Sequence, residues 1–242
     1  IAACEAKGRN TDDFLPYFCT LEMIHTYSLI HDDLPCVDND DMRRGRPTCH
    51  KAFGEAIAIM AGEGLLTEAF RVLADPRFSE RISPKISRQI VFEIAYAAGA
   101  EGMVGGQVMD IIYENKEGTK NILHYIHSHK TASMLRAAVR VGALAAGAKA
   151  RELKHFTRYV DAIGLGFQVM DDILDAEGDE ELVGKKLQKD ANKQTYVKHY
   201  GILASKLKLE QLVDEAVKSI AFLGENGRIL EDIAHFIGNR VS

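Results

Sequence analysis

The five prolines of this 242-residue chain all lie within its first 84 residues, and this distribution constrains the fold more than any other feature. A proline inside an α-helix removes a backbone hydrogen bond, and its ring clashes with the preceding turn, so long helices require sequence without proline. Residues 85–242 contain none. We therefore expect most of the chain to be helical.

The spacing of apolar residues and the positions of helix breakers predict an all-α bundle without an internal repeat. Strand-type alternation is nearly absent, and aromatic and β-branched residues do not cluster in short runs between turns. The predicted helices span Asp13–Leu34, Gly54–Leu73, Ser83–Ile112, Lys120–Gly147, Ala150–Leu174, Gln194–Leu223 and Asn226–Arg240.

Glycines occur inside the predicted helices, where each costs roughly 1 kcal/mol relative to alanine. A close approach between two helices, or room for a ligand, would offset this cost. The glycines concerned are Gly62, Gly64, Gly102, Gly105 and Gly106.

The length and composition favour one large hydrophobic core. With 46% apolar residues and no linker-like stretch, residues 1–242 are predicted to form a single domain. The net charge of −5 gives no field that would attract nucleic acid or an anionic membrane. Any anionic ligand must therefore be held by local groups.

The cysteines and the lack of targeting features favour a cytoplasmic protein. The four cysteines show no Cys-x-x-Cys spacing, and a chain of this length does not need disulfides to fold. No apolar run is long enough to span a membrane, and no leader-like segment opens the sequence. Residues 1–8 read as the tail of a helix that ends at Gly8, so we expect further residues to precede Ile1.

The first charged motif runs from Leu29 to Pro47 and reads LIHDDLPCVDNDDMRRGRP. On a continuous helix Asp32 and Asp38 would point away from each other, but Pro35 disfavours helix at the preceding residue and lets the chain turn back. The two carboxylates can then converge. A solvated acidic helix end is the alternative, and this motif alone does not decide between the two.

A second aspartate cluster, in GFQVMDDILDAEGD, favours a metal site. Asp171 and Asp175 lie at positions i and i+4 of a helix that is otherwise largely apolar, so their like charges repel each other. Divalent cations remove this repulsion, and carboxylates select hard ions such as Mg²⁺, which also binds waters and phosphate oxygens. Two such clusters facing one cavity would clamp a diphosphate through bridging metal ions.

Basic residues accompany both clusters. Arg43 and Arg44 follow the first one, and arginine suits forked contacts to phosphate oxygens. Lysines, which act as mobile point charges, follow the second cluster, although a solvated loop is an alternative interpretation of that run. These lysines are Lys185, Lys186, Lys189 and Lys193.

This set of motifs resembles the trans-isoprenyl diphosphate synthase family, and within it the bacterial farnesyl diphosphate synthases and the related geranylgeranyl enzymes. The resemblance rests on both aspartate motifs, on Arg43 and Arg44, and on HKT at 129–131, GFQVMDD at 166–172 and KQTY at 193–196, in the family's order. It implies antiparallel helices around a deep central cavity, normally in a homodimer. It also implies Mg²⁺-dependent, head-to-tail condensation of an allylic diphosphate, dimethylallyl or geranyl, with isopentenyl diphosphate.

The resemblance further implies roles for individual residues. The expected ligands of three Mg²⁺ ions are Asp32, Asp38 and Asp171, with auxiliary or outer-sphere roles for Asp33, Asp172 and Asp175. The residues expected to contact the allylic diphosphate are Arg43, Lys130 and Lys185, and those expected to hold isopentenyl diphosphate are His25 and Arg44. The residues expected to act directly in catalysis are Asp32, Lys130, Thr131, Gln168 and Asp171.

These residue types suit the ionisation of an allylic carbon–oxygen bond. Metal ions and cationic side chains stabilise the leaving diphosphate as its negative charge forms. The carbocation then needs dry walls. The resemblance places Thr131 and Gln168 beside it, where their oxygens offer partial negative charge without attacking.

Tyr27 is the predicted floor of the product cavity. It precedes Asp32 by five residues, about 7.5 Å along a helix axis, where a growing isoprenoid tail would arrive. An ordinary core aromatic is the alternative interpretation. In the resembled family an aromatic residue here stops elongation near fifteen carbons, so we expect farnesyl diphosphate as the product, with geranylgeranyl diphosphate second.

Two features depart from the resembled family. No Gly-Lys-Arg stretch, whose Lys and Arg hold isopentenyl diphosphate in the family, precedes the first motif, and the segment between Asp175 and Lys193 is shorter than usual. The missing Gly-Lys-Arg stretch keeps open a non-catalytic subunit that regulates an active partner. A class I terpene cyclase, which shares the helical architecture and one aspartate-rich motif, is a further alternative. The second aspartate motif, the paired arginines and His-Lys-Thr favour the prenyltransferase.

Overall fold

Helices form almost all of the regular structure in the computed structural model, which describes residues 1–79, 82–114, 116–177 and 194–240. In these ranges, extended strands are confined to one antiparallel hairpin of two-residue strands. The all-α prediction is therefore confirmed. No helix in the described part of the chain combines the length and apolarity needed to cross a membrane.

The elements are named in chain order. The α-helices are α1 (Ala2–Glu5), α2 (Leu15–Asp32), α3 (Cys49–Phe53), α4 (Glu55–Ala74), α5 (Pro76–Ser79), α6 (Pro84–Ala98), α7 (Met103–Tyr113), α8 (Lys120–Ile126), α9 (Ala132–Ala145), α10 (Ala150–Glu177), α11 (Tyr196–Tyr200), α12 (Ile202–Ile220) and α13 (Arg228–Asn239). The strands are β1 (Met42–Arg43) and β2 (Arg46–Pro47). The other helical segments are the 3₁₀ segments Asp12–Phe14 and Ala221–Gly227 and the π-helical turn His127–Thr131.

Helices α2, α4, α10 and α13 agree with their predicted ranges to within three residues at each end. The other predicted helices were too long. Ser83–Ile112 is divided into α6 and α7, where Gly102 adopts φ −139° and ψ −126°. Lys120–Gly147 contains the π-helical turn, and Gln194–Leu223 is interrupted at Gly201, whose φ is +78°. Apolar periodicity continues across such breaks, so spacing alone does not reveal them.

Backbone contacts divide the chain into two compact units, which are described separately. The α4 unit spans Thr11–Phe92, and the α10 unit comprises Ile1–Asn10 and Glu93–Ser242. The single-domain interpretation stays a prediction.

In the α4 unit, α2 packs along α4. Pro16 lies in the first turn of α2, where its missing N–H removes no intrahelical hydrogen bond. Ile24 and Tyr27, three residues apart, are buried on the same side of α2. The helix ends at Asp32, shortly before Pro35, because proline disfavours helix in the residue that precedes it. The first aspartate motif is therefore held at the C-terminal end of a packed helix.

In the α10 unit, α10 packs against both α9 and α12. Phe156 and Tyr159 are fully buried, and the Tyr159 hydroxyl donates a 2.7 Å hydrogen bond to the carbonyl oxygen of Leu230 in α13. Gly164 allows α9 to approach closely, because a methyl group there would lie 2.8 Å from the Cβ of Ala132. This packing holds the C-terminal end of α10, which carries the second aspartate motif.

Candidate active site

The loop after α2 folds back on the end of that helix. The N–H of Asp38 donates a 2.9 Å hydrogen bond to the carbonyl oxygen of Asp32, and the N–H of Asn39 donates one of 3.1 Å to Leu34. Asn39 adopts φ +52°, a left-handed conformation that asparagine tolerates better than most residues. The predicted turn-back after Pro35 is therefore confirmed for the backbone, which brings the main chain of Asp38 against that of Asp32.

Arg43, on β1, binds the second aspartate of the first motif. Its Nε lies 2.9 Å from both carboxylate oxygens of Asp33, and its second guanidinium nitrogen lies 2.6 Å from one of them. The Asp33 side chain is only 3% exposed, and its hydrogen bonds raise the pKa of Arg43. Asp33 therefore anchors a guanidinium that remains one-third exposed.

Arg44 lies at the tip of the β1–β2 hairpin. Arg44 and Gly45 adopt φ +52° and +75°, the pair of positive angles typical of a tight type I′ turn. Glycine adopts this conformation without strain, whereas arginine has a Cβ and does not. The exposed Arg44 side chain is thus presented to solvent at a cost in backbone energy.

Two further predicted residues lie on α2. His25 is exposed, whereas Tyr27 is 8% exposed and makes an edge-to-face contact with His31, with ring centroids 5.7 Å apart. Burial raises the pKa of Tyr27, and the charge of Asp32 adds to this effect. Tyr27 is therefore a neutral, buried aromatic residue on the helix that ends at the first motif.

In the α10 unit, the second motif lies beside the C-terminal end of α13. Asp171 forms an ion pair with Arg240, whose guanidinium carbon also lies 4.1 Å from the centroid of the Phe167 ring. Phe167 and Asp171 are four residues apart and share one face of α10. Burial lowers the pKa of Arg240, and within the described residues its Nε has no hydrogen-bond partner. Asp171 is thus neutralised by a cation of the protein itself.

Asp172 is enclosed by hydrogen-bond donors. It accepts hydrogen bonds from Gln168 Nε2 at 3.2 Å and from the backbone N–H of Tyr196 at 2.5 Å, and His127 Nε2 lies 3.6 Å away. Burial lowers the pKa of His127 to about 3, so its imidazole is neutral at pH 7. Asp172 therefore ties α10 to the start of α11, whose first residue, Tyr196, is the last residue of the KQTY motif.

The HKT motif lies on the π-helical turn, a form of helix that is frequent at functional sites. Lys130 Nζ lies 2.5 Å from Asp110 Oδ2 on α7, and the Thr131 hydroxyl donates a 3.2 Å hydrogen bond to Gln168 Oε1 on α10. A methyl group at Gly106 would lie 2.1 Å from the backbone nitrogen of Lys130, so glycine is required for α7 to approach the π-helical turn this closely. The turn thus links Lys130 to α7 and Thr131 to α10.

The predicted site residues are divided between the two units. Those in the α4 unit are His25, Tyr27, Asp32, Asp33, Asp38, Arg43 and Arg44. Those in the α10 unit that the structure describes are Lys130, Thr131, Gln168, Asp171, Asp172 and Asp175. Lys185 and the neighbouring Lys186, Lys189 and Lys193 lie outside the described residues.

The six motif aspartates fall into two groups by exposure. Asp33 and Asp172 have side chains 3% and 4% exposed and are held by the contacts described above. The others are partly or fully exposed, and they are Asp32, Asp38, Asp171 and Asp175. Carboxylate oxygens are the donors that Mg²⁺ prefers, and the ion needs only one or two of them beside waters and phosphate oxygens. The donor set fits magnesium, although no three His, Cys, Asp or Glu side chains of the described ranges form a ready-made metal cluster.

Sequence reasoning missed the partners of the predicted residues. Asp110, Arg240 and His127 were not singled out as functional, nor was the backbone N–H of Tyr196. The signal for Asp110 is a carboxylate one turn after Gly106 in a largely apolar helix. Arg240 carries no comparable signal, because its partner lies 69 residues earlier in the chain.

Comparison with known proteins places this chain in one family. The polyprenyl synthetase family model matches residues 1–221. Farnesyl diphosphate synthase of Bacillus subtilis (strain 168) is 43% identical over 242 residues, which are 99% of this chain and 81% of that protein. Geranylgeranyl diphosphate synthase of Cyanophora paradoxa is also 43% identical, over 99% of this chain and 80% of the relative.

The solved structures agree with the sequence relatives. A geranyltransferase from Helicobacter pylori, complexed with magnesium and isoprenyl diphosphate, superposes with a TM-score of 0.80 at 31% identity. The match covers 93% of this chain and 73% of that one. This chain therefore belongs to the polyprenyl synthetase family and is a prenyltransferase.

Proposed function

We propose that this prenyltransferase condenses dimethylallyl or geranyl diphosphate with isopentenyl diphosphate and that farnesyl diphosphate is its main product. The observation that supports this product length is the buried position of Tyr27 on α2, five residues before Asp32. The names of the relatives do not distinguish the two product lengths, because a farnesyl and a geranylgeranyl diphosphate synthase are both 43% identical to this chain.

Magnesium is the proposed cofactor, with three ions in each active site. Its proposed ligands are Asp32, Asp38 and Asp171, supported by Asp33, Asp172 and Asp175. The carboxylate donor set and the magnesium bound to the Helicobacter pylori geranyltransferase support this assignment. Bound magnesium supplies positive charge that stabilises the departing diphosphate.

Arg43 and Lys130 contact the allylic diphosphate in this proposal. Each cation is held by a buried carboxylate, Arg43 by Asp33 and Lys130 by Asp110. When the allylic carbon–oxygen bond breaks, both bonding electrons leave with the diphosphate, and cations that are already oriented stabilise that charge without reorganisation. Lys185 has the same proposed role.

Thr131 and Gln168 line the site of the allylic cation, and His25 and Arg44 hold isopentenyl diphosphate. The hydrogen bond from Thr131 to Gln168 Oε1 and that from Gln168 Nε2 to Asp172 fix the orientation of the amide. The double bond of isopentenyl diphosphate supplies the electron pair for the new carbon–carbon bond. Loss of a proton to the departing diphosphate then restores a double bond in the product.

The product length can be tested at Tyr27. The complete protein and its Tyr27→Ala variant would be incubated with labelled isopentenyl diphosphate, geranyl diphosphate and Mg²⁺, and the dephosphorylated products separated by chromatography. We expect the C15 alcohol from the wild type and C20 or longer alcohols from Tyr27→Ala. Tyr27→Phe keeps the ring and should retain the C15 product. An unchanged distribution in Tyr27→Ala would remove Tyr27 from the floor.

Geranylgeranyl diphosphate synthesis is the second candidate, and the Cyanophora paradoxa relative favours it. In that case the wild type would release mainly C20 alcohol in the same assay. This result would leave the reaction class unchanged. It would contradict only the proposed role of Tyr27 in stopping elongation at fifteen carbons.

A homodimer is the proposed assembly. Helix α7 exposes aliphatic side chains that a second copy of this chain could cover, which are Val104, Val108, Ile111 and Ile112. A contiguous exposed apolar face of this kind is typical of a protein contact. Sedimentation velocity of the wild type and of Val108→Glu should give a dimer and a shift towards monomer, respectively.

A further inference from the structure

Gly62, on α4, provides the space that the imidazole of His31 occupies. A methyl group at this glycine would lie 2.1 Å from His31 Nε2 and 2.5 Å from its Cδ2, far inside contact distance. The same Nε2 lies 3.2 Å from the carbonyl oxygen of Ile59, one turn earlier on α4. The imidazole is therefore held directly against the backbone of α4, in a position that only glycine permits.

His31 connects this glycine to Tyr27. His31 and Tyr27 are four residues apart on α2, and their rings meet edge to face at 79° with centroids 5.7 Å apart. One side of the imidazole thus contacts α4, and another contacts the Tyr27 ring. Gly62, His31 and Tyr27 form a continuous stack from α4 to the predicted floor of the product cavity, which we call the floor stack.

We propose that His31 is a positioning residue that determines product length by fixing the orientation of the Tyr27 ring, and that Gly62 sets the position of His31. This inference rests on the proposed role of Tyr27 in stopping elongation. A tyrosine that limits a cavity must keep one rotamer, and a side chain holds one rotamer when its neighbours leave no room for others. His31 is the aromatic neighbour that does this, and Gly62 is what allows it to lie there.

Two substitutions should disturb the floor stack in different ways. His31→Ala removes the ring that supports Tyr27 and leaves space beside it. Gly62→Ala keeps the imidazole but forces it away from α4, because a Cβ 2.1 Å from Nε2 cannot be accommodated, and the contact with Ile59 is lost. In both variants Tyr27 gains rotamers that open the cavity beyond the C15 length.

The measurement is the ratio of C20 to C15 alcohols formed from labelled isopentenyl diphosphate and geranyl diphosphate. We expect this ratio to rise about fivefold in either single variant, which corresponds to about 1 kcal/mol. In the double variant, Gly62→Ala should add nothing to His31→Ala, because the group with which its methyl clashes is gone. The product ratio reports the shape of the cavity, so a general loss of stability or rate would not produce this pattern.

Gly64→Ala is the matched control. Gly64 lies on the same helix two residues further on, and a methyl group there would meet no atom within 4 Å. The substitution raises helix propensity as Gly62→Ala does but leaves His31 in place, so the wild-type product ratio is expected.

The outcomes separate this inference from the proposed function. A shift in Tyr27→Ala, together with wild-type ratios in both His31→Ala and Gly62→Ala, would overturn the role of the floor stack and keep Tyr27 as the floor. No shift in Tyr27→Ala would overturn the floor itself. If Gly62→Ala does not fold, as judged by circular dichroism, His31→Ala alone decides, because it removes atoms and introduces no clash.

Discussion

Lys130 and Asp110 form an ion pair between the π-helical turn and α7, with 2.5 Å between Nζ and Oδ2. The Asp110 side chain is 10% exposed, whereas that of Lys130 is 24% exposed. The carboxylate is thus buried beneath a cation that still reaches solvent. Such a pair holds a positive charge in one place before substrate arrives.

Asp110→Asn should therefore weaken binding of the allylic substrate. Asparagine keeps the size of the side chain but removes the counter-charge, so Lys130 loses its fixed position. We expect KM for geranyl diphosphate to rise about tenfold, the equivalent of about 1.4 kcal/mol. Steady-state kinetics with geranyl diphosphate as the varied substrate measures this change.

The control for Asp110→Asn is Asp161→Asn, which breaks the exposed Arg136–Asp161 pair in the same unit. Exposed ion pairs contribute little, so KM should change less than about twofold in this control. An equal change in the two variants would contradict a specific role for Asp110.

Arg43→Lys should destabilise the β1–β2 hairpin. A lysine ammonium cannot make the forked contact that the guanidinium makes with Asp33, whose carboxylate would stay buried with fewer hydrogen bonds. We expect the free energy of unfolding in urea to fall by about 1–3 kcal/mol. Arg46→Lys, at the exposed position opposite Arg43 in the hairpin, should stay within about 0.5 kcal/mol of the wild type. Equal losses in both variants would argue against the forked pair.

Arg44→Asn should raise stability and impair catalysis together. Asparagine tolerates the φ of +52° at this turn position, so relief of strain should stabilise the protein by up to about 1 kcal/mol. Loss of the guanidinium should raise KM for isopentenyl diphosphate about tenfold, if the charge contacts that substrate. Arg44→Lys keeps both the charge and the strain, so its stability should match the wild type and its KM should change less. An unchanged KM in Arg44→Asn would remove Arg44 from the substrate site.

Arg240→Met should tighten magnesium binding at the second aspartate motif. Methionine can retain the apolar contact with Phe167, but it no longer pairs with Asp171, which a metal ion must otherwise share with the guanidinium. We expect Kd for Mg²⁺ in the presence of inorganic diphosphate, measured by calorimetry, to fall about threefold, or by about 0.7 kcal/mol.

The control for Arg240→Met is Lys206→Met. It removes the partly exposed ion pair between Lys206 and Glu177, the last residue of α10, the helix that carries Asp171. Its Kd for Mg²⁺ should match the wild type, because an exposed pair away from Asp171 does not compete for the metal. Weaker magnesium binding in Arg240→Met would show that Arg240 supports the metal site and does not compete with it.

The helical class and the ends of the long helices could be predicted because they depend on local sequence. Pro35 ends α2, and residues without proline allow the 28-residue α10. The breaks could not be predicted in the same way. Gly102 directly precedes α7 and Gly201 directly follows α11, and both adopt backbone angles that apolar spacing does not encode.

The candidate site shows the same division between local and distant information. The turn-back of Asp38 onto Asp32 follows from Pro35 nearby in the sequence. The pairing of Lys130 with Asp110, and of Asp171 with Arg240, depends on tertiary packing between separate helices. Glycines inside the predicted helices indicated close contacts only in part. A methyl group would clash with a neighbouring residue at Gly62 and Gly106, but at Gly64 it would meet no atom within 4 Å.

The complete recombinant protein can be tested directly for chain elongation with a product assay. It would be incubated with labelled isopentenyl diphosphate and geranyl diphosphate, with and without Mg²⁺, and the dephosphorylated products separated by chromatography. A parallel incubation with farnesyl diphosphate alone would detect a terpene cyclase. We predict farnesol that depends on Mg²⁺ in the first assay and no cyclic product in the second. The absence of any elongated product from folded, intact protein would contradict the catalytic assignment and favour a regulatory subunit.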